Sequence, residues 1–236
     1  EEAIQSYDTA ISLDPTLTES NLNLIEILTH YIPIKTQNNS IVTISQKIKR
    51  KYLKNLKKET IISDDLATNL YSYGIHQLAR SEVKVNYQQT QAYRRNSVDL
   101  NCDRHMSIFE DYRIIPKFCF TCYKVQVEPK KVIDLIKLLI LFDRMELKEN
   151  NTRKCMIELR QNIPGFYKGY IYCSSLKQAT EICSILNSRI RKYIGTSMSP
   201  QIKRGCSEYS LAFPQYKDHS KVEVGHQWHE FINKSL

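Results

Sequence analysis

Residues 123–144 read YKVQVEPKKVIDLIKLLILFDR, and the hydrophobic period changes within this stretch. Every second residue from Tyr123 to Val127 is apolar, which predicts a β-strand that is covered on one face. Pro129 suits the start of a helix, where its missing N–H group costs nothing. From Val132 to Arg144 the apolar residues then follow helical spacing. We therefore expect a strand that leads directly into an amphipathic helix with a wide apolar face.

The same two periods recur further along the chain and are separated by turn signals. The bend Asn162-Ile-Pro-Gly165 separates two predicted strands, and Ser175 with Gln178 forms a capping-box pattern at the start of a second helix. The elements predicted after the first helix are a strand at Lys154–Arg160, a strand at Lys168–Cys173, a helix that ends at Gly195 and a last strand within Ile202–Phe213. This order over residues 118–213 is the ferredoxin-like order. We expect an α+β fold with both helices on one face of a four-stranded antiparallel sheet.

The composition is that of an ordinary globular protein, with 236 residues of which 42% are hydrophobic. The longest apolar run, Val132–Phe142, contains Asp134 and Lys137 and is too short to span a bilayer, so no membrane span is expected. Seven cysteines, an odd number spread over the chain, disfavour a disulfide framework and favour a reducing compartment. We therefore expect a cytoplasmic location.

The first residues, EEAIQSYDTAISLDP, predict an amphipathic helix that ends at Pro15. Together with the apolar residues of 21–28, this segment resembles the end of a tetratricopeptide repeat array over residues 1–30. The resemblance implies a protein-interaction scaffold with further repeats upstream, because one repeat cannot bury its apolar face alone. We expect residues 1–40 to end such an array and to contact a protein partner.

Much of the net charge of +9 lies in one segment. Between Thr43 and Lys58 there are seven basic residues and no acidic residue, and apolar residues recur every four positions, which predicts a basic helix. This concentration favours a polyanionic partner such as RNA, although a solvated helix face explains it equally well. Residues 41–96 are thus predicted to form a basic helical connector, whose second helix begins after Ser63. The candidate contact residues are Lys49, Arg50, Lys51 and Lys54.

Two closely spaced pairs of potential metal ligands precede the first predicted strand. Cys102 and His105 are separated by two residues, as are Cys119 and Cys122. Each spacing lets both side chains turn toward one tetrahedral ion, and three cysteines with one histidine are a structural zinc set. The expected cofactor is therefore a structural zinc ion in a knuckle. The alternative is a group of reduced, buried cysteines beside an unrelated histidine.

The segment 167–187, YKGYIYCSSLKQATEICSILN, combines a Lys-Gly-aromatic strand with a following helix. In this respect it resembles part of an RNA recognition motif. The resemblance implies that Tyr170 and Tyr172 stack on bases and that Lys168 contacts the nucleic-acid backbone. Outward-facing tyrosines are also common on half-exposed strands because of their strand propensity alone. The candidate residues on the neighbouring strand are Lys154 and Arg160.

An enzymatic alternative rests on polar residues that adjacent strands could bring together. Arginine and lysine side chains beside carboxylates would hold a substrate that contains phosphate or sulfate. The candidate residues are Glu158, Arg160, Lys203, Arg204 and Glu208. The group lacks a recognisable pair of nucleophile and base, and the sequence contains no phosphate-binding glycine loop, nucleophile elbow or H-E-x-x-H helix.

The sequence thus predicts two regions after residues 1–40 and the connector at 41–96. Residues 97–216 are expected to form a domain that joins the zinc knuckle to the ferredoxin-like sheet, and residues 217–236 a helical tail. The expected function is that of a binding or scaffold protein with a protein partner and with RNA or another polyanion. The enzymatic alternative stays open.

Overall fold

A computed structural model of the chain describes residues 1–35, 39–57, 60–81, 91–94 and 102–212. Over these residues the protein combines helices with one antiparallel β-sheet, so the expected α+β class is confirmed. None of the described helices is long and apolar enough to cross a bilayer. The helical tail predicted at 217–236 lies outside the described residues.

The sheet has five strands within the described part of the chain. They are β1 (Gln91–Arg94), β2 (Tyr123–Val127), β3 (Arg153–Ile157), β4 (Tyr167–Cys173) and β5 (Pro200–Arg204). Their spatial order is β1-β3-β4-β2-β5, and every neighbouring pair is antiparallel. Strand β2 pairs with both β4 and β5, so that Val125 lies opposite Ile171 and Ile202. The edge strand β1 comes from the end of the predicted connector and was not expected to join the sheet.

Helices α7 (Val132–Arg144) and α8 (Leu176–Tyr193) cover one face of the sheet, which we call the inner face. Val125 and Ile171 are fully buried there among apolar residues of both helices. Removal of this apolar surface from water stabilises the fold, at about 25 cal/mol for each Å² buried. The wide apolar face predicted for the first helix is therefore the core-facing surface of α7.

The inner face depends on a glycine where α7 approaches β4 most closely. A Cβ atom at Gly169 would overlap Leu138 Cδ2 and would lie 3.2 Å from Phe142 Cζ. Only a residue without a side chain leaves room for both groups. Helix packing thus explains the glycine of the Lys-Gly-Tyr segment without any reference to a nucleic acid.

Side-chain caps define the ends of the two packed helices. The Ser175 hydroxyl accepts a hydrogen bond from the Gln178 backbone N–H at 3.2 Å, which confirms the predicted start of α8. At the other end of the layer, the Arg153 guanidinium is fully buried and donates to the carbonyls of Phe142 and Met145. These bonds satisfy carbonyls at the C-terminus of α7 that have no partner within the helix.

The N-terminal region is helical. Its helices are α1 (Glu2–Leu13), α2 (Thr18–His30), α3 (Ser40–Asn55) and α4 (Asp64–Ala79). Helices α1 and α2 bury Ile4, Ile11 and Leu24 against one another, and the start of α3 adds Ile41 and Val42 to the same cluster. A helix therefore packs on the α1–α2 pair soon after the point at which the repeat pattern ends in the sequence.

The connector belongs to the same core as the sheet. Leu56, Ile62 and Ala67 lie in the cluster that contains the inner-face residues. The Ile62 N–H donates to the Tyr193 carbonyl at 2.7 Å, which ties the chain before α4 to the end of α8. The predicted cap is confirmed, since the Ser63 hydroxyl accepts from the Leu66 N–H at 3.2 Å. Leu56, Ile62 and Ala67 are thus an integral part of the α+β core.

The predicted last strand ends early. Strand β5 stops at Arg204, and the chain then forms a short helix, α9 (Ser207–Ala212). The reason is Gly205, whose φ of 64° lies in the left-handed region that glycine adopts without strain. Two more helices, α5 (Cys102–Tyr112) and α6 (Lys117–Phe120), precede β2. Phe109 and Cys119 of α5 and α6 pack with Tyr209 of α9 in a small separate cluster.

Candidate functional site on the outer sheet face

The sheet face that points away from α7 and α8, which we call the outer face, carries cations in place of apolar residues. Because side chains alternate between the two faces of a strand, each of strands β2 to β5 places one lysine on the outer face. These residues, which we call the lysine cluster, are Lys124, Lys154, Lys168 and Lys203. Lys124 is the cross-strand partner of both Lys203 and Tyr172, so cations lie side by side across β2 and β5.

Lys124 is almost completely shielded from solvent. The residue is 6% exposed, and its Nζ lies 3.8 Å from Cys206 Sγ and 5.0 Å from the centre of the Tyr170 ring. Within the described residues, no carboxylate forms an ion pair with it. Burial alone lowers the pKa of Lys124, but Cys206, Tyr170 and, with smaller effects, Cys122 and Glu208 outweigh burial and raise it, so the side chain stays an ammonium group. This feature marks the outer face as a candidate binding site for an anion.

The other members of the lysine cluster are better satisfied. Lys154 Nζ donates to Gln91 Oε1 at 2.9 Å and lies over the rings of Tyr170 and Tyr172. Lys168 Nζ lies 3.8 Å from Glu158 Oε2. Burial lowers the pKa of both lysines, and the charge of Lys124 lowers the pKa of Lys154 further. Their charged forms would be stabilised by a nearby anion.

Two carboxylates on this face are paired with Arg160. Its guanidinium contacts both oxygens of Glu158, with Nε to Oε1 and Nη2 to Oε2 each at 2.7 Å, and its Nη1 contacts Glu208 of α9. These contacts hold the pKa of Glu158 below its usual value. The arginine thus ties the end of β3 to α9, and it uses much of the negative charge that could otherwise balance the lysines.

The turn between β5 and α9 places a hydroxyl group beside the cluster. The Gly205 N–H donates to the Cys122 carbonyl at 2.8 Å, which holds the turn against the start of β2. Lys203 Nζ donates to Ser207 Oγ. Both side chains are half-buried. The outer face thus combines anion-binding groups with a lysine–serine contact.

The predicted zinc site is wrong. No group of three or more His, Cys, Asp or Glu side chains in the described parts of the chain is arranged to hold a metal ion. Cys119 Sγ instead lies 3.1 Å from the Tyr209 hydroxyl in the small cluster that includes Phe109. The His105 ring stacks on the Phe118 ring, with 6.2 Å between ring centres and 12° between planes. Tertiary contacts therefore use two of the four expected ligands in other ways.

The other two expected ligands, Cys102 and Cys122, lie near Cys206. Burial, with smaller effects from the thiols of Cys206 and Cys122, raises the pKa of Cys102 to about 11. Burial also raises the pKa of Cys119 to about 12. Cys102 and Cys119 are therefore protonated thiols at neutral pH, and all seven cysteines are free.

The residues expected to contact RNA on the sheet lie on the outer face but are covered. Tyr170 is 6% exposed and Lys168 is 2% exposed, while Tyr172 is half-buried. A base could stack on Tyr170 only if Lys124 and Lys154, whose ammonium groups lie 5.0 and 5.8 Å from the ring centre, moved away. Lys154 is also half-buried, and Arg160 is exposed but holds its two carboxylates.

The basic residues of α3 are placed differently. Arg50, Lys51 and Lys54 are exposed, and Lys49 is half-buried. Lys51 Nζ lies 5.5 Å from the centre of the Tyr73 ring of α4. This surface is open to solvent and is separate from the lysine cluster.

The residues of the enzymatic alternative divide between the two faces of the sheet. The structure brings Glu158, Arg160 and Glu208 into one ion-paired group and places Lys203 on the same face. Arg204 pairs with Tyr123 in the strand register and is 2% exposed on the inner face. It therefore cannot reach a ligand bound at the lysine cluster.

Sequence reasoning missed Lys124, Cys206 and Ser207. In the sequence, Lys124 is simply one of the polar residues in the alternating pattern that predicts β2, and nothing marks it as a binding residue. The run Lys203-Arg-Gly-Cys-Ser207 contained a usable signal, because a glycine within a predicted strand indicates a turn or a bulge. That turn is what brings residues 206–208 back over the outer face.

Comparison with protein-family models, with curated proteins and with solved structures found no match to this chain. The function is therefore argued from the geometry of the outer face.

Proposed function

We propose that the α+β part of the chain binds a ligand that carries a phosphate or sulfate group at the lysine cluster. The observation that carries this proposal is the buried ammonium group of Lys124, which is 6% exposed and faces a thiol and an aromatic ring. Removing one partner of a buried ion pair destabilises a protein by about 3–5 kcal/mol. A bound anion would supply a counter-charge that the described residues do not provide.

The charges around Lys124 support an anion of more than one negative charge. The cluster brings four ammonium groups to one face, while Arg160 engages Glu158 and Glu208. Phosphate and sulfate offer several acceptor oxygens and accept charge-assisted hydrogen bonds from lysine. The half-buried Lys203 and Lys154 mark the side from which such a group would enter.

A ferredoxin-like topology for residues 123–204 is part of the proposal. It is supported by the order β2, α7, β3, β4, α8, β5, by the antiparallel pairings and by the packing of both helices on the inner face. Strand β1 is then an addition at the β3 edge. In this arrangement the two long helices pack on the inner face and leave the outer face uncovered by them.

Binding of RNA or another polyanion to α3 is a second candidate function. It is favoured by the exposure of Arg50, Lys51 and Lys54 on one helix with no acidic residue nearby in the sequence. Such binding would weaken steeply with salt. The expected measurement is a fluorescence titration with single-stranded RNA at two salt concentrations, compared with the triple variant that replaces these three residues with glutamine.

A protein partner for the tetratricopeptide-like region is a further part of the proposal. It is supported by the pairing of α1 with α2 through Ile4, Ile11 and Leu24, which leaves Leu13 exposed. In a repeat array the exposed side would be covered by neighbouring helices or by a partner. The cytoplasmic location stays a prediction.

The anion-binding proposal is tested by isothermal titration calorimetry with inorganic phosphate and inorganic sulfate. We expect saturable binding of at least one of them, and we expect Lys124→Met to weaken it at least about tenfold, since loss of a charge-assisted contact costs about 1.5–3 kcal/mol. The matched control is Lys192→Met, which removes an exposed lysine of α8. Equal affinities of the wild type and Lys124→Met, or no binding of either anion, would reject the proposal.

A further inference from the structure

The lysine–serine contact beside the cluster has the composition of a nucleophile–base pair. Lys203 Nζ and Ser207 Oγ are in hydrogen-bond contact, and both side chains are half-buried on the accessible side of the outer face. Gly205 creates the contact, because its left-handed φ of 64° turns the chain after β5. Its hydrogen bond to the Cys122 carbonyl then holds the turn in place. A serine hydroxyl becomes a useful nucleophile when an adjacent base accepts its proton.

The surroundings of Lys203 favour the neutral amine that such a base needs. Burial, followed by the charges of Lys124 on β2 and Lys168 on β4, lowers the pKa of Lys203 to about 8. Cys206 and Glu208 act in the opposite direction, with smaller effects. A substantial fraction of Lys203 is therefore unprotonated at slightly alkaline pH, which is unusual for a lysine.

We propose that Ser207 is the nucleophile and Lys203 the general base of a phosphate-monoester hydrolase site, which rests on the proposed binding of a phosphate group at the lysine cluster. The choice of a phosphoryl group follows from the cations, since the transferred group carries charge on its non-bridging oxygens throughout the reaction. Lys124, the cross-strand neighbour of Lys203, is the residue placed to hold those oxygens.

The first step forms a phosphoserine. The Ser207 hydroxyl gives its proton to the neutral Lys203 amine while Oγ attacks phosphorus, so that the Oγ–P bond forms and the bond from phosphorus to the ester oxygen breaks. The leaving alcohol oxygen takes the proton back from the Lys203 ammonium group. No oxidant or reductant takes part, and Lys203 is neutral again at the end of the step.

The second step regenerates the serine with water as the co-reactant. A water molecule gives a proton to Lys203 and attacks the phosphorus of phosphoserine. The Oγ–P bond breaks, Ser207 Oγ takes the proton from Lys203, and inorganic phosphate leaves. The net reaction is a phosphate monoester plus water, giving an alcohol plus inorganic phosphate.

The test uses para-nitrophenyl phosphate with the whole chain and follows release of nitrophenol. We expect slow turnover by the wild type that falls on the order of 10³-fold in Ser207→Ala and on the order of 10²–10⁴-fold in Lys203→Met. Turnover should rise with pH through the pKa of Lys203, because the base must be unprotonated. Ser188→Ala on α8 is the control and should leave turnover unchanged.

The outcomes separate this inference from the proposed function. Phosphate binding by both the wild type and Ser207→Ala, without nitrophenol release above background, would overturn the hydrolase site and keep the anion site. Turnover retained by Ser207→Ala would also overturn it. Para-nitrophenyl sulfate serves as a second substrate, and hydrolysis of the sulfate ester with none of the phosphate ester would reject the choice of phosphoryl transfer. Absence of phosphate binding to the wild type would overturn the hydrolase site, and absence of both phosphate and sulfate binding would remove both proposals.

Discussion

Each face of the sheet buries a cation, and the two cations differ in the groups that they contact. On the inner face the Arg153 guanidinium is fully buried and donates to the carbonyls of Phe142 and Met145 at the end of α7. On the outer face Lys124 is nearly as buried but faces a thiol and an aromatic ring. The first cation completes a helix end, and the second has no carboxylate partner among the described residues. The difference teaches that burial alone does not reveal function, whereas burial together with the partners of the charge does.

The largest effect is expected for the inner-face cation. Arg153→Met leaves two helix-end carbonyls without their donor, and we expect the free energy of unfolding to fall by about 3 kcal/mol. Chemical denaturation with urea measures it. The matched variant is Lys124→Met, which removes a buried charge at similar volume, and it should change the free energy of unfolding by less than about 1 kcal/mol because burial and the neighbouring groups act in opposite directions. The comparison between the faces fails if the two variants lose equal stability.

The second-largest effect on stability is expected where the inner face is most closely packed. Gly169→Ala places a methyl group against Leu138, and we expect a loss of about 2 kcal/mol in the free energy of unfolding. Gly74→Ala in α4 is the control, because its added Cβ would lie at an ordinary contact distance, 3.7 Å, from Ile48 Cδ1 of α3. It should stabilise the helix by about 0.5–1 kcal/mol.

A double variant checks the cause of the Gly169 effect. If the methyl group destabilises the protein by overlap with Leu138, the loss in Gly169→Ala combined with Leu138→Ala should be smaller than the sum of the two single losses. Strict additivity would show that the glycine is needed for another reason.

The smallest effect is the contribution of Lys203, on the outer face, to the pH dependence of the free energy of unfolding. Burial and two neighbouring lysines lower the pKa of Lys203 from 10.5 to about 8. Between these values the unfolded chain binds more protons than the folded protein at this group, so its contribution makes the free energy of unfolding rise with pH, by on the order of 1 kcal/mol. Below about pH 8 the group is protonated in both states and contributes no slope.

The control for this pH effect is the variant Lys203→Met. Cys102 contributes in the opposite sense near pH 9 to 11, because burial raises its pKa to about 11 and the folded state keeps the proton longer. The difference between the wild type and Lys203→Met, measured by urea denaturation from pH 7 to 10, cancels that contribution. An identical slope in both proteins would contradict the lowered pKa.

Much of the inner layer could be predicted from the sequence because it depends on local patterns. The alternation from Tyr123 to Val127 and the helical spacing after Val132 specify which side of each element is apolar. The capping residue Ser175 marks a helix start for a local reason as well, since it bonds a backbone N–H three residues away. These features do not depend on what the rest of the chain does.

The errors fall where distant contacts decide the structure. Strand β1 joins the sheet only because β3 offers an edge to which it can pair, and residues 91–94 carry no strong local strand pattern. The spacing of Cys119 and Cys122 suits a metal ion, but Tyr209, ninety residues away, is the partner of Cys119. A spacing rule cannot foresee a partner that the fold brings from another part of the chain.

The sequence by itself determined the α+β class, the order of strands and helices from residue 123 to residue 204 and the apolar side of α7 and α8, because hydrophobic periodicity and helix caps act within a few residues. Only the tertiary structure decided that four lysines meet on the outer face, that Lys124 is buried there without a carboxylate among the described residues, and that the turn at Gly205 brings Ser207 to Lys203. Strand register and a left-handed turn bring together residues that are far apart in the chain, and the charge balance of the candidate site follows from that arrangement.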